Sequence, residues 1–296
     1  MDRKKILFVA ILIFLAGSFW AAPVGAKMIK EVFLGVFKNA PSQADTDRFY
    51  LRYHGPEIMR LSGPWIRRYQ LWLPFEPPEE AVERFGAVQG RYGELWYTEE
   101  DYLDRPPMRG ITESPWGMEG QTTVMVPAWP TEEFYDSDPH PDKTPILRWV
   151  TVIRYPDGVS EEEGERWFLE VHAGEALKQP GLLKFVSHKV LNIQSPSLLN
   201  TPSQSQSSET PRMSGDNPPQ SGNMPQSSGM PGRKSWVRVC EYWYKDFEAW
   251  RKAVLESPPK YTVPSWGGEY PFVEMSSTFI PYMNDIDFIK CGYIIP

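Results

Sequence analysis

Two histidines and two glutamates recur in this chain in matched surroundings, and they are the side chains best suited to moving a proton. His54 opens the run His54-Gly55-Pro56-Glu57, and His172 opens His172-Ala173-Gly174-Glu175. Each imidazole is followed three residues on by a carboxylate and nine residues on by a glycine, Gly63 or Gly181. Positions three apart share a helix face, and imidazole is readily tuned for proton transfer near neutral pH. Glu94 and Glu241 open the runs Glu94-Leu95-Trp96-Tyr97 and Glu241-Tyr242-Trp243-Tyr244. In a strand, alternate residues point the same way, which sets each carboxylate beside an indole, Trp96 or Trp243. A carboxylate in such apolar company is expected to have a raised pKa and to act as an acid. Plainer readings stand beside these: a histidine that braces a helix end, and a glutamate solvated at the start of a strand. His-x-x-Glu also offers two metal ligands, but spacing places no third or fourth.

The elements that must carry these residues follow from periodicity and punctuation. Ile29–Lys38 is strand-like and ends at Asn39-Ala40-Pro41. Ser42 with Asp45 marks a helix start, Phe49, Tyr53, Ile58 and Leu61 mark its apolar face, and Gly63-Pro64 stops it. Strands over Trp65–Leu73, Tyr92–Tyr97 and Gln121–Ala128 follow, with a short helix at Glu79–Phe85 and another starting at Thr98. The order is β-α-β-β-α-β, the ferredoxin-like pattern. It returns in the second half: strand Trp149–Tyr155, a helix opened by Ser160-Glu161-Glu162-Glu163 and ended at Pro180-Gly181, and strands Phe185–Ile193 and Trp236–Tyr244. A helix Asp246–Leu255 and a strand Glu274–Tyr282 complete it. The two His-to-Glu separations are 40 and 69 residues, and the excess lies in a Ser/Pro/Gln/Gly-rich stretch at 195–234. With almost no aromatic or β-branched residue, that stretch cannot bury enough surface to offset its ordering entropy and reads as a disordered insertion.

Composition narrows the functions further. The chain has 296 residues, 41% of them hydrophobic, with 12 Trp, enough for substantial cores. Net charge is −7 and no basic cluster lies beyond the N-terminus, which excludes a nucleic-acid partner. Met1-Asp2-Arg3-Lys4-Lys5, the apolar run Ile6–Ala22 and Val24-Gly25-Ala26 have the order of an export signal cleaved before Lys27. Its removal takes three bases and one acid, moving the net charge to −9. The mature protein is then expected in the periplasm or medium without a stable membrane anchor; the alternative is an uncleaved N-terminal anchor. Cys240 and Cys291 are the only cysteines, and either a disulfide or two free thiols fits. Dinucleotide and phosphate loops, Gly-x-Ser-x-Gly elbows, His-Glu-x-x-His and Cys-x-x-Cys pairs are all missing from the sequence, so nucleotide use, serine hydrolysis and zinc proteolysis lose support.

The segments Phe49-Tyr50-Leu51-Arg52-Tyr53-His54-Gly55-Pro56, with Leu61 and Gly63, and Trp167-Phe168-Leu169-Glu170-Val171-His172, with Pro180-Gly181, resemble the EthD-like family of the dimeric α/β-barrel superfamily. The resemblance implies an α+β protein of two ferredoxin-like units, 27–144 and 145–296, packed sheet to sheet as a pseudo-dimeric α/β barrel from one chain. It implies pockets between each sheet and its helices, and cofactor-free dehydratase, decarboxylase or isomerase chemistry on small, often aromatic molecules. Other members of the family have no known activity. Carried over by position, His54 is the motif histidine, with His172 as its second-unit counterpart. The expected catalytic set is His54, Glu94, His172 and Glu241, with Tyr50, Tyr53, Trp96 and Trp243 against the substrate, no cofactor and no metal. Ala173-Gly174 in place of Gly55-Pro56 points to the first unit as the stronger site. Enzyme, ligand-binding module and exported assembly protein remain the competing readings, and self-association into homo-oligomers is left open.

Overall fold

The computed structural model describes residues 26–36, 39–106, 116, 120–134, 146–193, 235–281 and 286–289. Residues 1–25 of the export signal, the whole Ser/Pro-rich insertion at 195–234 and Cys291 lie outside the described residues. The first unit runs β1 (Met28–Val36), α1, β2 (Arg68–Trp72), α2 (Glu79–Phe85), β3 (Arg91–Thr98), α3 (Glu99–Asp104) and β4 (Gly120–Pro127). A two-residue strand, β5 (Glu132–Glu133), follows. The second unit runs β6 (Leu147–Arg154), α4, β7 (Leu182–Lys189), β8 (Arg238–Tyr244), α5 (Phe247–Arg251, extended by the π turn Lys252–Glu256), β9 (Glu274–Pro281) and the two-residue β10 (Ile286–Asp287). Helix α1 comprises Gln43–Phe49, a π turn Tyr50–His54 and Gly55–Ser62; α4 comprises Glu161–Trp167, a π turn Phe168–His172 and Ala173–Ala176.

Each unit builds an antiparallel sheet, in the order β10-β2-β3-β1-β4 and β5-β7-β8-β6-β9. Without the two short strands the orders are the ferredoxin-like arrangement, in which each crossover helix returns its chain past one intervening strand. Alternation along the strands sorts the side chains. Val32, Trp72, Tyr92, Val124 and Val126 of the first sheet meet Val150, Val152, Val239 and Ile280 of the second in one core between the sheets. The opposite face of the first sheet packs Ile29, Tyr69, Leu95 and Tyr97 against Phe49, Tyr50, Ile58 and Met59 of α1. The second packs Trp149, Phe185, Tyr242 and Tyr244 against Trp167, Phe168, Ala173 and Ala176 of α4.

The two short strands escape the sequence reading, and each lies in the sheet of the other unit. Each begins five residues after the last long strand of its own unit and pairs in the other unit's sheet. Glu132–Glu133 lie along β7, and Phe134 N donates to Phe185 O (3.1 Å); Ile286–Asp287 lie along β2, and Phe288 N donates to Tyr69 O (3.0 Å). Phe134 stacks on Phe185 and Phe288 on Tyr69, with ring centroids 5.1 and 4.6 Å apart. The remaining sheet edges are also covered across the units. Leu191 N donates to Met125 O of β4 (2.7 Å), and Ser277 N of β9 to Gly86 O (3.1 Å). Two residues suffice for a strand when a partner edge offers unmet backbone groups, so periodicity has no run to detect.

Candidate functional site

Helix α4 starts where the sequence indicates. Ser160 Oγ accepts from Glu163 N (3.1 Å), while the Glu163 carboxylate accepts from Ser265 Oγ at 2.7 Å. Midway the helix widens into a π turn, with Ala173 N donating to Phe168 O, and His172 ends that turn. Helix α1 makes the same turn at Tyr50–His54, with Gly55 N donating to Tyr50 O. Because α4 does so with Ala173-Gly174, Pro56 is not the cause of the widening. π turns of this kind often sit at functional sites.

His172 is 6% exposed and lies flat between Trp167 (centroids 4.8 Å, 27°) and Tyr261 (5.6 Å, 26°). With Trp149, Trp167, Phe168, Tyr242 and Tyr270 it lines a void of about 10 Å³ between the second sheet and α4, room for one water-sized atom. Burial lowers the His172 pKa from its ordinary 6.5 to about 4, against a smaller upward pull from Glu175, so the ring is neutral at pH 7. His172 Nδ1, Trp149 Nε1 and Trp167 Nε1 are buried without a hydrogen-bond partner. Such atoms cost about 1–3 kcal/mol each unless something else satisfies them. Glu175 is engaged elsewhere. It accepts from Thr262 N (2.9 Å) and from Thr262 Oγ1, tying the irregular stretch before β9 to α4. Tyr270, from that same stretch, donates to Tyr261 OH (3.3 Å), which also accepts from Gln179 Nε2 (2.8 Å). The first unit takes part as well, since Phe85 of α2 packs edge-on against Trp149 (5.1 Å) and Tyr270 (6.0 Å).

In the first unit the ring of Phe288 lies against Gly55 of α1. His54 is half-buried against Tyr50 (4.7 Å) and Phe49 (6.1 Å), and burial lowers its pKa to about 4 with Glu57 opposing. Gly55 is needed, but for a side chain and not for a ligand: a Cβ there would collide with the ring of Phe288, delivered by the second unit. Tyr50 is buried in the α1 core, whereas Tyr53 is 61% exposed and off the buried face. The aromatic void lies beside His172.

Glu94 and Glu241 sit apart from both histidines. Both point between the sheets, so each sheet separates its glutamate from the histidine of its unit, and the members of the expected catalytic set do not come together. The glutamates converge on each other instead. Lys30 Nζ lies 3.2 Å from Glu94 Oε1 and 3.6 Å from Glu241 Oε1, joining the two units. Arg148 Nη1 donates to Glu241 Oε2 (3.2 Å), and His188 Nε2 is 3.6 Å from Glu241 Oε1. Tyr92 OH and Trp96 Nε1 donate to Glu94 (2.9 and 3.2 Å), and Trp243 Nε1 to Glu241 (3.3 Å). Burial works against both charges, but Lys30 and Arg148 outweigh it, and both carboxyls lie below the ordinary carboxylate range. The expected upward shift is therefore overturned, and the solvated strand-start alternative fails too, because both side chains are buried. Each indole is flanked by cations: Lys30 and Arg68 about Trp96 (5.8 and 5.0 Å), Arg148 and Lys184 about Trp243 (5.7 and 5.5 Å). Trp96 and Trp243 thus belong to this network, remote from the void.

Sequence reasoning missed Lys30, Arg148, His188 and a second matched pair. Arg238 grips Glu165 with two 2.8 Å bonds and lies over Phe168 (4.5 Å); Arg91 pairs with Asp47 and lies over Tyr50 (5.5 Å). Arg91 precedes Glu94, and Arg238 precedes Glu241, by the same three residues, a signal available to a longer alignment of the two halves. Among the described residues, no group of three or more His, Cys, Asp or Glu is placed to hold a metal, and no helix is long and apolar enough to cross a membrane. Cys240 is a buried free thiol, its pKa pushed up to about 12 by burial.

No protein-family model and no curated protein matches the chain. Among solved structures it is similar to an anthrone oxidase-like protein, at 10% identity over 89% of this chain and 94% of that one, with a TM-score of 0.48. It is also similar to chlorite dismutase from Candidatus Nitrospira defluvii in complex with imidazole, at 8% identity over 86% and 92%, with a TM-score of 0.34. At scores this low the assignment rests on the strand orders and the core between the two sheets. The architecture is a dimeric α/β barrel built from one chain.

Proposed function

We propose that this chain is an exported small-molecule protein that binds its ligand beside His172 and moves a proton on it without a bound cofactor, as an isomerase or lyase does. The observation that supports this reading is a neutral, buried imidazole whose Nδ1 has no partner, at the wall of an aromatic void. A base of this kind needs its lone pair free at working pH, and burial in place of a carboxylate partner keeps it so. His54 has a similar environment but no described void beside it, which moves the principal role to the second unit.

Ligand entry requires the stretch carrying Tyr261 and Tyr270 to swing away, because the closed void admits a single atom. The test uses 2-tetralone, a small aromatic ketone with acidic C–H bonds, in D2O. The protein should speed deuterium uptake over buffer, and His172→Ala should reduce that gain by about 10²–10⁴-fold at an unchanged melting temperature. A ketone that binds but exchanges no faster than in buffer would leave a binding module. Exchange in His172→Ala at the wild-type rate would remove the histidine from the chemistry.

A further inference from the structure

Four aromatic rings of the described residues lie against His172: Trp167 and Phe168 on its own helix, and Tyr261 and Tyr270 on the irregular strap at 257–273 that joins α5 to β9. That strap has two unlike sides. Its inner side is aromatic: Tyr261 stacks on Tyr270 (4.2 Å, 9°), and Trp266 packs edge-on against Trp167 (5.2 Å). Its outer side is polar and reaches α4 through exposed bonds, from Thr262 N and Oγ1 to Glu175 and from Ser265 Oγ to Glu163. Such bonds break at little cost, because water replaces either partner. Residues 257–266 carry Pro258, Pro259 and Pro264, which stiffen that piece, and Gly267-Gly268 follow it. The two glycines have φ of 71° and 98°, and a Cβ on either would meet nothing within 4 Å. With no neighbour crowding them, they are where the strap turns most freely. Beyond them Phe272 has φ of 62°, a left-handed conformation that a bulky residue adopts only under constraint. Part of that constraint comes from the strap itself, since Trp266 Nε1 donates to Phe272 O (3.1 Å).

We infer that residues 257–266 form a lid over His172, latched to α4 by Glu175 and pivoting at Gly267-Gly268, which opens while the two sheets stay packed. Closed, it leaves His172 6% exposed. Opening breaks the two bonds to Glu175, the Ser265–Glu163 bond and the bond from Gln179 Nε2 to Tyr261 OH (2.8 Å). It lifts Tyr261 off the imidazole, and withdrawal of the Trp266 N–H lets Phe272 leave its strained conformation, with Tyr270 following. The core between the sheets contains none of these residues, so it is not disturbed. A segment with few apolar contacts to the sheets and exposed hydrogen bonds belongs to the least stable part of a fold and opens before the rest. Glu175, the carboxylate of the second His-x-x-Glu run, thereby acts as a latch. The lid gives the site proposed above its entry step and rests on that reading for what it admits, whereas the motion is tested without a ligand.

Diethyl pyrocarbonate, which acylates accessible neutral imidazole, reads the opening at pH 7 when the labelled peptides are followed by mass spectrometry. His188 is the internal reference, being 2% exposed and held between the sheets against Glu241. In the wild type His172 should react about ten-fold or more faster than His188, since only the lid must move. Glu175→Ala removes both latch bonds and should speed His172 by about ten-fold, the scale for two exposed hydrogen bonds, with His188 unchanged. Thr262→Val keeps the Glu175 charge and one of the two bonds, so its rate should fall between wild type and Glu175→Ala. Gly268→Ala has room for its methyl but a φ that alanine disfavours, which raises the closed state and should speed His172 by about three-fold or more. Equal labelling of His172 and His188 in the wild type, a His172 rate that none of the three substitutions moves, or a rise at both histidines together would overturn the lid. The outcome is separable from the catalytic reading. Fast labelling of His172 in a protein that exchanges no deuterium into 2-tetralone sinks only the proton transfer. His172-dependent exchange in a protein whose His172 labels no faster than His188 sinks only the lid.

Discussion

At the residue scale, two similar pairs of side chains meet opposite fates because of what surrounds them. Burial without a cation or anion in contact leaves His172 neutral, while burial with Lys30 and Arg148 keeps Glu94 and Glu241 charged. The pH consequences follow by sign. His172 binds a proton near pH 6.5 when unfolded but near 4 when folded, so its contribution to stability is complete above about 6.5 and is lost as pH falls towards 4. The urea midpoint should therefore drop between pH 7 and 4, and His172→Gln should flatten part of that slope; an identical slope in the variant would mean the ring is solvated. The glutamates act further down: their stabilisation is present above about 4.3 and lost as pH falls through their lower folded values. Glu241→Gln removes the carboxylate that buried Lys30 and Arg148 both contact, which should cost about 3–5 kcal/mol at pH 7 by chemical denaturation. A loss under about 1 kcal/mol would show that water reaches the cluster.

At the element scale, the exchanged short strands bear on both helix layers. Phe288 fills the space above Gly55 in α1, and Phe134 packs on Phe185 and Phe168 beneath α4. Gly55→Ala should overpack that contact and destabilise by about 1–3 kcal/mol, the usual cost of an extra methyl in a filled core. Phe288→Ala should itself destabilise by opening a cavity, but adding Gly55→Ala to it should then cost little. Additive losses in the double variant would show that the two positions do not touch. The widened turns of α1 and α4 are matched in position and not in sequence, since one is followed by Gly-Pro and the other by Ala-Gly.

At the scale of the whole molecule, neither unit closes its own structure. The core between the sheets draws on both, the Lys30–Glu241 pair bridges them, and each sheet edge is capped by the other half. The His172 void also depends on the first unit through Phe85. Expressed alone, residues 27–144 or 145–296 should expose an apolar sheet face and an unpaired edge, and should aggregate or self-associate. Sedimentation of either half as a soluble, folded monomer would contradict this dependence. Mixed halves that recover a one-to-one complex would reproduce the barrel from two chains.

The repeated order of strands and helices and the helix start at Ser160 were legible in the sequence, because they depend on neighbours within a few residues. So was the likeness of the two halves at their histidines and at Glu-x-Trp-Tyr. What stands opposite those residues was not. The sign of the Glu94 shift depends on Lys30 and Arg148, which are close only because two sheets face each other, and a local reading that counts burial alone obtains the wrong direction. Whether Gly55 admits a ligand or a phenylalanine is settled by Phe288, more than two hundred residues away along the chain. The void fell beside His172 for the same reason: local sequence specifies which faces are apolar, but filling a gap between layers is a property of every side chain that reaches it.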